Sequence, residues 1–377
     1  MCLLLAVLLA AAVPSTLPTD GHPFAALPMA GGTIVSVTAN GRPDSATELR
    51  VFAPDGTPRC FQPLPAAQAF GMAATPDGRG LLVAAGDAGL VLLDLARAMS
   101  CHATPVTVPI GPAGGHEGSF DVAVSADGRF AFVADETGIA GQDAAGKDLR
   151  GDVGVVALSP GADAARVVTR IPTGGDAVAG LALSPDGRRL FVTSEVARPG
   201  VRAGGLKDRR LAHGGCRQGN GPAMAFGLLS VIDVARAEAG AADAVVNATA
   251  AGCSPVRVVA SPDGATVWVA ARGDDRVLAF DARTLALLGS GDSGGKAPVG
   301  LALFAGGTRL AVANSNRFAG PGATGSLAIL DAAPSGPRVL RSVPAGHFPR
   351  SIGVGADGRT LFVTAFNGGE VAMMDGG

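Results

Sequence analysis

Residues 255–281, PVRVVASPDGATVWVAARGDDRVLAFD, contain a phrase that the chain repeats. Residues 256–260 are mostly apolar, Ser261-Pro262-Asp263-Gly264 turns the chain, and residues 266–271 return. Gly273-Asp274-Asp275 turns it again, and residues 276–280 form a further apolar run closed by Asp281. β-Branched and apolar runs bounded by Pro, Asp and Gly clusters read as short strands joined by turns. Asp-Gly suits a tight hairpin because both residues tolerate positive φ at low cost. Such a unit cannot bury both faces alone, so recurrence decides the architecture.

The phrase recurs at seven places. The copies are LPMAGGTIVSVT (27–38), MAATPDGRGLLVA (72–84), VAVSADGRFAFVA (122–134), LALSPDGRRLFVT (181–193), the stretch quoted first, LALFAGGTRLAVA (301–313) and IGVGADGRTLFVT (352–364). After most returning strands comes a third apolar strand closed by Asp94, Asp233, Asp281, Asp331 or Asp375, whereas residues 153–158 run into Ser159-Pro160. A fourth, more polar strand follows and ends in a Pro-x-Gly phrase at 106–111, 167–174 (RIPTG) and 339–346 (SVPAG).

The combination SPDGRRLFVTS, LSVIDV and RIPTG resembles the YVTN-type β-propeller repeat, whose wider superfamily includes lactonase-like seven-bladed propellers. The chain has no Tyr, and Phe132, Phe191, Trp268 or Phe362 stands where the name-giving tyrosine would be. The resemblance implies an all-β fold, a seven-bladed propeller of four-stranded antiparallel blades, in which radial repetition protects the sheet edges. The last repeat ends at Gly377 without a fourth strand, so part of 14–23 is expected to supply it. Three prolines there restrict that segment to a sheet edge. The alternative is that 24–29 closes the ring and the first blade is short.

The chain carries 47% hydrophobic and 16% charged residues with 56 glycines, as many short strands and tight turns require. A net charge of −2 without a Lys/Arg run argues against a nucleic-acid or anionic-membrane surface. Residues 1–13, MCLLLAVLLAAAV, resemble the apolar core of a secretory signal with Ala10-Ala11-Ala12 as a cleavage site, although the positively charged start is missing. The expected product is a single propeller domain, 14–377, periplasmic or secreted, without a membrane span and monomeric. Cys60, Cys101, Cys216 and Cys253 then form an even set in an oxidising compartment.

In an up-and-down blade, the connection between second and third strands shares a face with the connections between blades. The three long insertions, 136–152, 196–227 and 315–325, all fall there, so one face is elaborated and the Pro-Asp-Gly face is trimmed. Binding residues concentrate in such loops on a rigid scaffold. Cys216 and Cys253 both belong to the elaborated face and are expected to pair. Cys60 and Cys101 lie near third-to-fourth turns of adjacent blades, where equivalent outer positions should be too far apart for a bond.

The same sorting brings His116, Glu117 and Arg272 forward as candidate catalytic groups, a His or Glu there acting as base on a water that attacks a lactone carbonyl. Asp135, Glu136, Glu195, Asn314, His347 and Arg350 are candidate ligand-binding residues. The competing view is that such strand-end polar groups cap backbone and satisfy turns. A calcium or zinc site from Glu195, Asp135 and Asn314 would need a narrow funnel, and His213-Gly-Gly-Cys216 is too weak a pattern for a metal pair; no metal and no cofactor is expected. Gly-x-Ser-x-Gly, a phosphate loop and Cys-x-x-Cys-His are all absent. The first reading is therefore a platform for an unknown small molecule or protein partner. The alternative is a lactonase-like hydrolase at the mouth of the funnel. Action on a phosphorylated sugar lactone fits poorly, because the sequence displays no clustered basic pocket. An accessory domain of a redox enzyme has no residues in its support.

Overall fold

A computed structural model describes residues 15–42, 45–111, 118–136, 141–142, 148–149, 151–158, 165–197, 216–217, 223–224, 226–320 and 322–377. Seven four-stranded antiparallel sheets form the blades of a β-propeller. Counting strands outward from the axis, blade 5 is Pro255–Ala260, Thr266–Ala271, Arg276–Asp281 and Leu287–Asp292. Its second strand, TVWVAA, is buried at every position. Each blade is covered on both sides, so the inner strands are continuous apolar runs where a one-sided sheet would alternate.

The core is accordingly divided into layers between blades. One layer joins Trp268, Ala270 and Val277 of blade 5 to Leu301, Leu310 and Val312 of blade 6. Corresponding layers fill the other six interfaces. The Pro-Asp-Gly turns share a local lock. Ser184 Oγ and the Arg188 amide both donate to Asp186 Oδ1, at 2.5 and 3.1 Å, and Gly187 follows with φ 69°.

The ring closes through the N-terminal segment. Ser15–Pro18 is the outermost strand of blade 7 and pairs with Glu370–Asp375 in the register Ser15 to Met373 through Pro18 to Glu370. Pro18, the one proline of this strand, is tolerated because the strand is an edge. His22–Met29 is the innermost strand of blade 1, which rules out the alternative closure by 24–29. Leu17 points inward against Val371, Phe362, Val35 and Phe52.

Two short helices depart from the expected repeat. Leu95–Met99 and Val234–Glu238 follow the third strands of blades 2 and 4, and the closing aspartates Asp94 and Asp233 cap them by accepting from the Arg97 and Arg236 amides. The first helix explains a pairing that the strand order argued against. Its Leu95 and Ala98 pack toward blade 1, and the chain then delivers Cys101 to Cys60 on that blade's outer strand. A Cys60–Cys101 disulfide forms with the Cα atoms 6.1 Å apart. Equivalent strand positions are too distant, but Cys101 lies beyond the helix and crosses the gap. Cys216 and Cys253 also form a disulfide, with a Cα separation of 5.2 Å, tying the largest insertion to the connector between blades 4 and 5.

Candidate functional site

The innermost strands share an irregularity that builds the axis. Their pairing with the second strands skips Phe24, Phe120, Ala179, Val256 and Val299 in blades 1, 3, 4, 5 and 6. A β-bulge re-aims the residue it leaves unpaired. All five skipped residues meet in one axial cluster, joined by Phe70, Phe348 and Phe366. In blade 7 the skip lies between Pro349 and Ile352 and contains Arg350, so a cation occupies the place that its counterparts fill with apolar side chains. The Arg350 guanidinium lies 4.4 Å from the ring centre of Phe24, 5.1 Å from Phe366, 5.2 Å from Phe120 and 5.4 Å from Phe348. Attraction to the ring faces offsets part of its desolvation, but burial still pulls its pKa down to about 9.

Around this cage, charged groups from several blades line a small cavity at the elaborated end of the channel: Glu136, Glu195, Arg257, Arg272, Arg317 and Arg350. Two ion pairs organise the wall. Arg257 Nη1 of blade 5 reaches Asp121 Oδ2 of blade 3 at 2.7 Å. Blade 4 presents Gly180 there, and a Cβ on it would stand 3.0 Å from Arg257 Cα and from the Val256 carbonyl oxygen. The missing side chain lets the inner strand of blade 5 lie close against blade 4. Arg272 Nη2 donates to Glu195 Oε2 at 2.5 Å, and Ser254 Oγ donates to the same oxygen at 2.8 Å. Cys253, adjacent to Ser254, couples the disulfide of the large insertion to this wall.

The remaining groups are less satisfied. Among the described residues, the Arg317 and Arg350 guanidinium groups make no hydrogen bond or ion pair, only ring contacts, and the buried Nε of Arg272 has no partner. Partial desolvation at the cavity wall, and then the nearby charge of Arg272, lower the pKa of Arg317, although its side chain reaches solvent. Burial, and then the neighbouring Glu195, raise the Glu136 carboxyl above its ordinary value, against the pull of Arg350, Arg272 and Arg317.

Of the residues singled out in the sequence, Glu136, Glu195, Arg272 and Arg350 come together here. His116 and Glu117, and also His213, lie outside the described residues. Asp135 is buried and engaged: it accepts from the Gly118 amide at 3.0 Å and from Arg170 Nη2 at 2.7 Å, while Arg170 also binds Asp152. Asn314 is buried and donates to the Ser293 carbonyl at 2.9 Å. Both sit where the second strand meets an interblade connector and tie the two together. His347 is exposed at the end of the outer strand Val339–His347 and does not line the cavity. Among the described residues, no three His, Cys, Asp or Glu side chains gather as a metal site.

Sequence reasoning missed Arg257, Arg317 and the phenylalanine cage. It also saw no clustered basic pocket, because each arginine is isolated in its own repeat and only the ring brings them together. The available signal was positional: Phe120, Ala179, Val256, Val299 and Arg350 all stand five residues before the position that opens their blade's first hairpin turn, Ser125, Ser184, Ser261, Phe304 or Gly355.

A solved structure of Kuenenia stuttgartiensis hydrazine synthase matches 97% of this chain and 98% of its own with a TM-score of 0.64 at 16% sequence identity. The likeness is one of fold. No protein-family model and no curated protein matches the chain. No helix among the described residues is long and apolar enough to cross a membrane.

Proposed function

We propose that this chain is an exported, YVTN-type β-propeller that binds a ligand or partner through its loop-elaborated face, with the arginine-lined channel mouth as the polar centre of that face. One observation carries the reading: arginines from blades 5, 6 and 7 converge on one cavity, yet two of them have no hydrogen-bonding partner among the described residues. Arg350 is drawn partly out of water among aromatic rings and Arg317 stands at the rim, both without acceptors among the described residues; a desolvated cation without an acceptor is costly to a fold, and its retention at the end where the insertions lie is what a binding site requires. Export is supported by the apolar stretch at 1–13 and by two disulfides, which persist in oxidising compartments.

Affinity mass spectrometry of the purified chain against a panel of small acids, sugars and peptides tests the platform. Ligands should be lost in Arg272→Ala/Arg317→Ala and retained in Arg79→Ala/Arg188→Ala, which alters exposed arginines on the Pro-Asp-Gly face. Equal retention by both variants would refute the site.

A hydrolytic reading is favoured by one observation, the raised pKa of Glu136 in a cleft of arginines, an environment suited to acid–base work on an acyl group. It predicts lactone turnover that disappears in Glu136→Gln although the variant is folded at least as stably as the parent. No turnover across simple and phosphorylated lactones would discard it.

A further inference from the structure

We propose that the channel mouth is a seat for a single carboxylate group carried by a monoanionic ligand; this rests on the platform reading and specifies its chemistry. The first argument is hydrogen-bond supply. Arg317 and Arg350 present whole guanidinium forks without acceptors among the described residues, and Arg272 Nε adds a buried donor that lacks one. A guanidinium is a rigid planar fork whose paired N–H groups match the two oxygens of a carboxylate. Four phenylalanine rings surround the Arg350 guanidinium and supply no acceptor for its N–H groups.

Charge is the second argument. Arg257 is matched by Asp121 and Arg272 by Glu195, so among the described residues Arg317 and Arg350 share only Glu136. The formal balance of the described residues is four positive groups against three negative. One monoanion neutralises it, whereas a dianion such as a phosphate monoester leaves the same enclosed space with excess negative charge. Glu136 reinforces the selection, because a second negative charge on the ligand would face this carboxylate.

Size is the third. The free volume is about 30 Å³, room for roughly two water-sized groups. That accommodates a carboxylate head, and the rest of a larger ligand would lie outside the cavity. The head belongs either to a small organic acid or to the chain terminus or acidic side chain of a protein partner. Both present the same chemistry to the arginines.

Titration calorimetry of the full chain at constant ionic strength, with sodium acetate, formate, sulfate and phosphate each against chloride, tests the seat. Acetate and formate should bind saturably at one site and at least tenfold more tightly than sulfate or phosphate. Arg317→Gln, at the rim, should weaken acetate at least tenfold without affecting the fold. Arg350→Ala should abolish binding, and guanidinium ion supplied in solution should restore it by occupying the vacated phenylalanine cage. If Arg350→Ala does not fold, Arg350→Lys keeps the cation over the rings but loses the fork, and should still weaken acetate at least tenfold. A short neutral peptide with a free C-terminus that binds more tightly than acetate, and more tightly than its amide, identifies a partner's terminus; equal affinity with acetate identifies a small acid. The proposal is overturned if acetate binds no better than chloride, if the dianions bind as tightly, or if the arginine variants bind acetate normally. Should the seat fail while Phe318→Asp, which changes an exposed side chain on the same face, still removes a ligand found in the platform screen, the platform reading stands without it.

Discussion

Replacing Leu17 by alanine tests how the ring is held shut. Leu17 is 1% exposed, although it lies on a four-residue edge strand, and its neighbours on either side, Thr16 and Pro18, face solvent. Its side chain is the contribution of Ser15–Pro18 to the layer between blades 7 and 1, where it meets Val371 and Phe362 from one blade and Val35, Val37 and Phe52 from the other. Deleting a fully buried leucine side chain costs about 3–5 kcal/mol where the surroundings cannot collapse. An edge strand can relax inward, so a value near the lower end, about 3 kcal/mol, is expected. The backbone ladder to Glu370–Asp375 and the bond from the Thr19 amide to the Gly369 carbonyl, 2.9 Å, remain possible in the variant. The loss should therefore appear as opening of the seam before global unfolding. Hydrogen exchange followed by mass spectrometry should show protection falling together in 15–19 and 370–375, with blades 3–5 unchanged. Urea denaturation should show a lower midpoint for the seam, while Thr16→Ala stays within about 0.5 kcal/mol of the parent. If Leu17→Ala matches Thr16→Ala in both measurements, the N-terminal strand does not close the ring as described.

The Cys60–Cys101 bond closes a loop with a sequence separation of 41, so the double serine variant should lose about 4 kcal/mol by loop-closure entropy, read as a shift in the denaturant midpoint. Gly180→Ala should destabilise the chain and disturb the Asp121–Arg257 pair, because its Cβ would meet Thr193 Oγ1 at 2.8 Å and blade 5 backbone at 3.0 Å; unchanged stability would show that blade 4 can yield. The turn aspartates should make the protein acid-labile. Hydrogen bonds from Ser125 and Thr360, with help from backbone amides, hold Asp127 and Asp357 at about 2, below the ordinary 3.8. Their stabilisation is complete above pH 3.8 and disappears as pH falls through about 2, so Asp127→Asn/Asp357→Asn should flatten the acid limb of a stability–pH curve. Glu136 has the opposite sign. Burial raises its folded pKa above the ordinary glutamate value of 4.5, so its contribution is most favourable below pH 4.5 and declines as pH rises through the raised value. Glu136→Gln should gain stability relative to the parent at neutral pH and lose this pH dependence. Protonation of Glu136 also removes a charge that faces a bound anion, so formate, itself still ionised, should bind the parent more tightly as pH falls from neutrality toward the ordinary glutamate value of 4.5.

What the sequence disclosed and what it concealed follow from the range of the forces involved. The blades are written in local chemistry. Apolar runs two strands long, Asp-Gly turns and a recurring aromatic specify a sheet that needs neighbours on both sides, and seven copies fix how many neighbours there are. The placement of insertions by strand parity was also local arithmetic, and it put Glu136, Glu195, Arg272 and Arg350 at one end of the channel, where they line one cavity. The helix Leu95–Met99 was concealed because Asp94 serves equally as a turn residue and as an N-cap, and the Cys60–Cys101 pairing was lost with it. Roles that depend on contacts between blades could not be assigned one repeat at a time. Asp135 and Glu136 are adjacent in sequence, yet one is bound to Arg170 and the other faces the channel.

The bulges connect these observations. A regular inner strand would direct alternate side chains into the layers between blades and leave an open channel along the axis. One extra residue per blade fills the axis instead, and in six blades of this ring the extra residues can be compared directly. Five are apolar and one is Arg350. A charge placed at a position that the fold otherwise fills with phenylalanine, valine or alanine opposes stability, as the fall of its pKa to about 9 records. Replacing it by an apolar residue should therefore stabilise the propeller: Arg350→Leu is expected to raise the thermal midpoint while abolishing acetate binding. A purely structural arginine, held in place by its four rings, predicts the reverse, a lower midpoint and no change in anion affinity. The opposite signs in the two readouts allow one variant to decide whether Arg350 is retained for the ring or for what the ring binds.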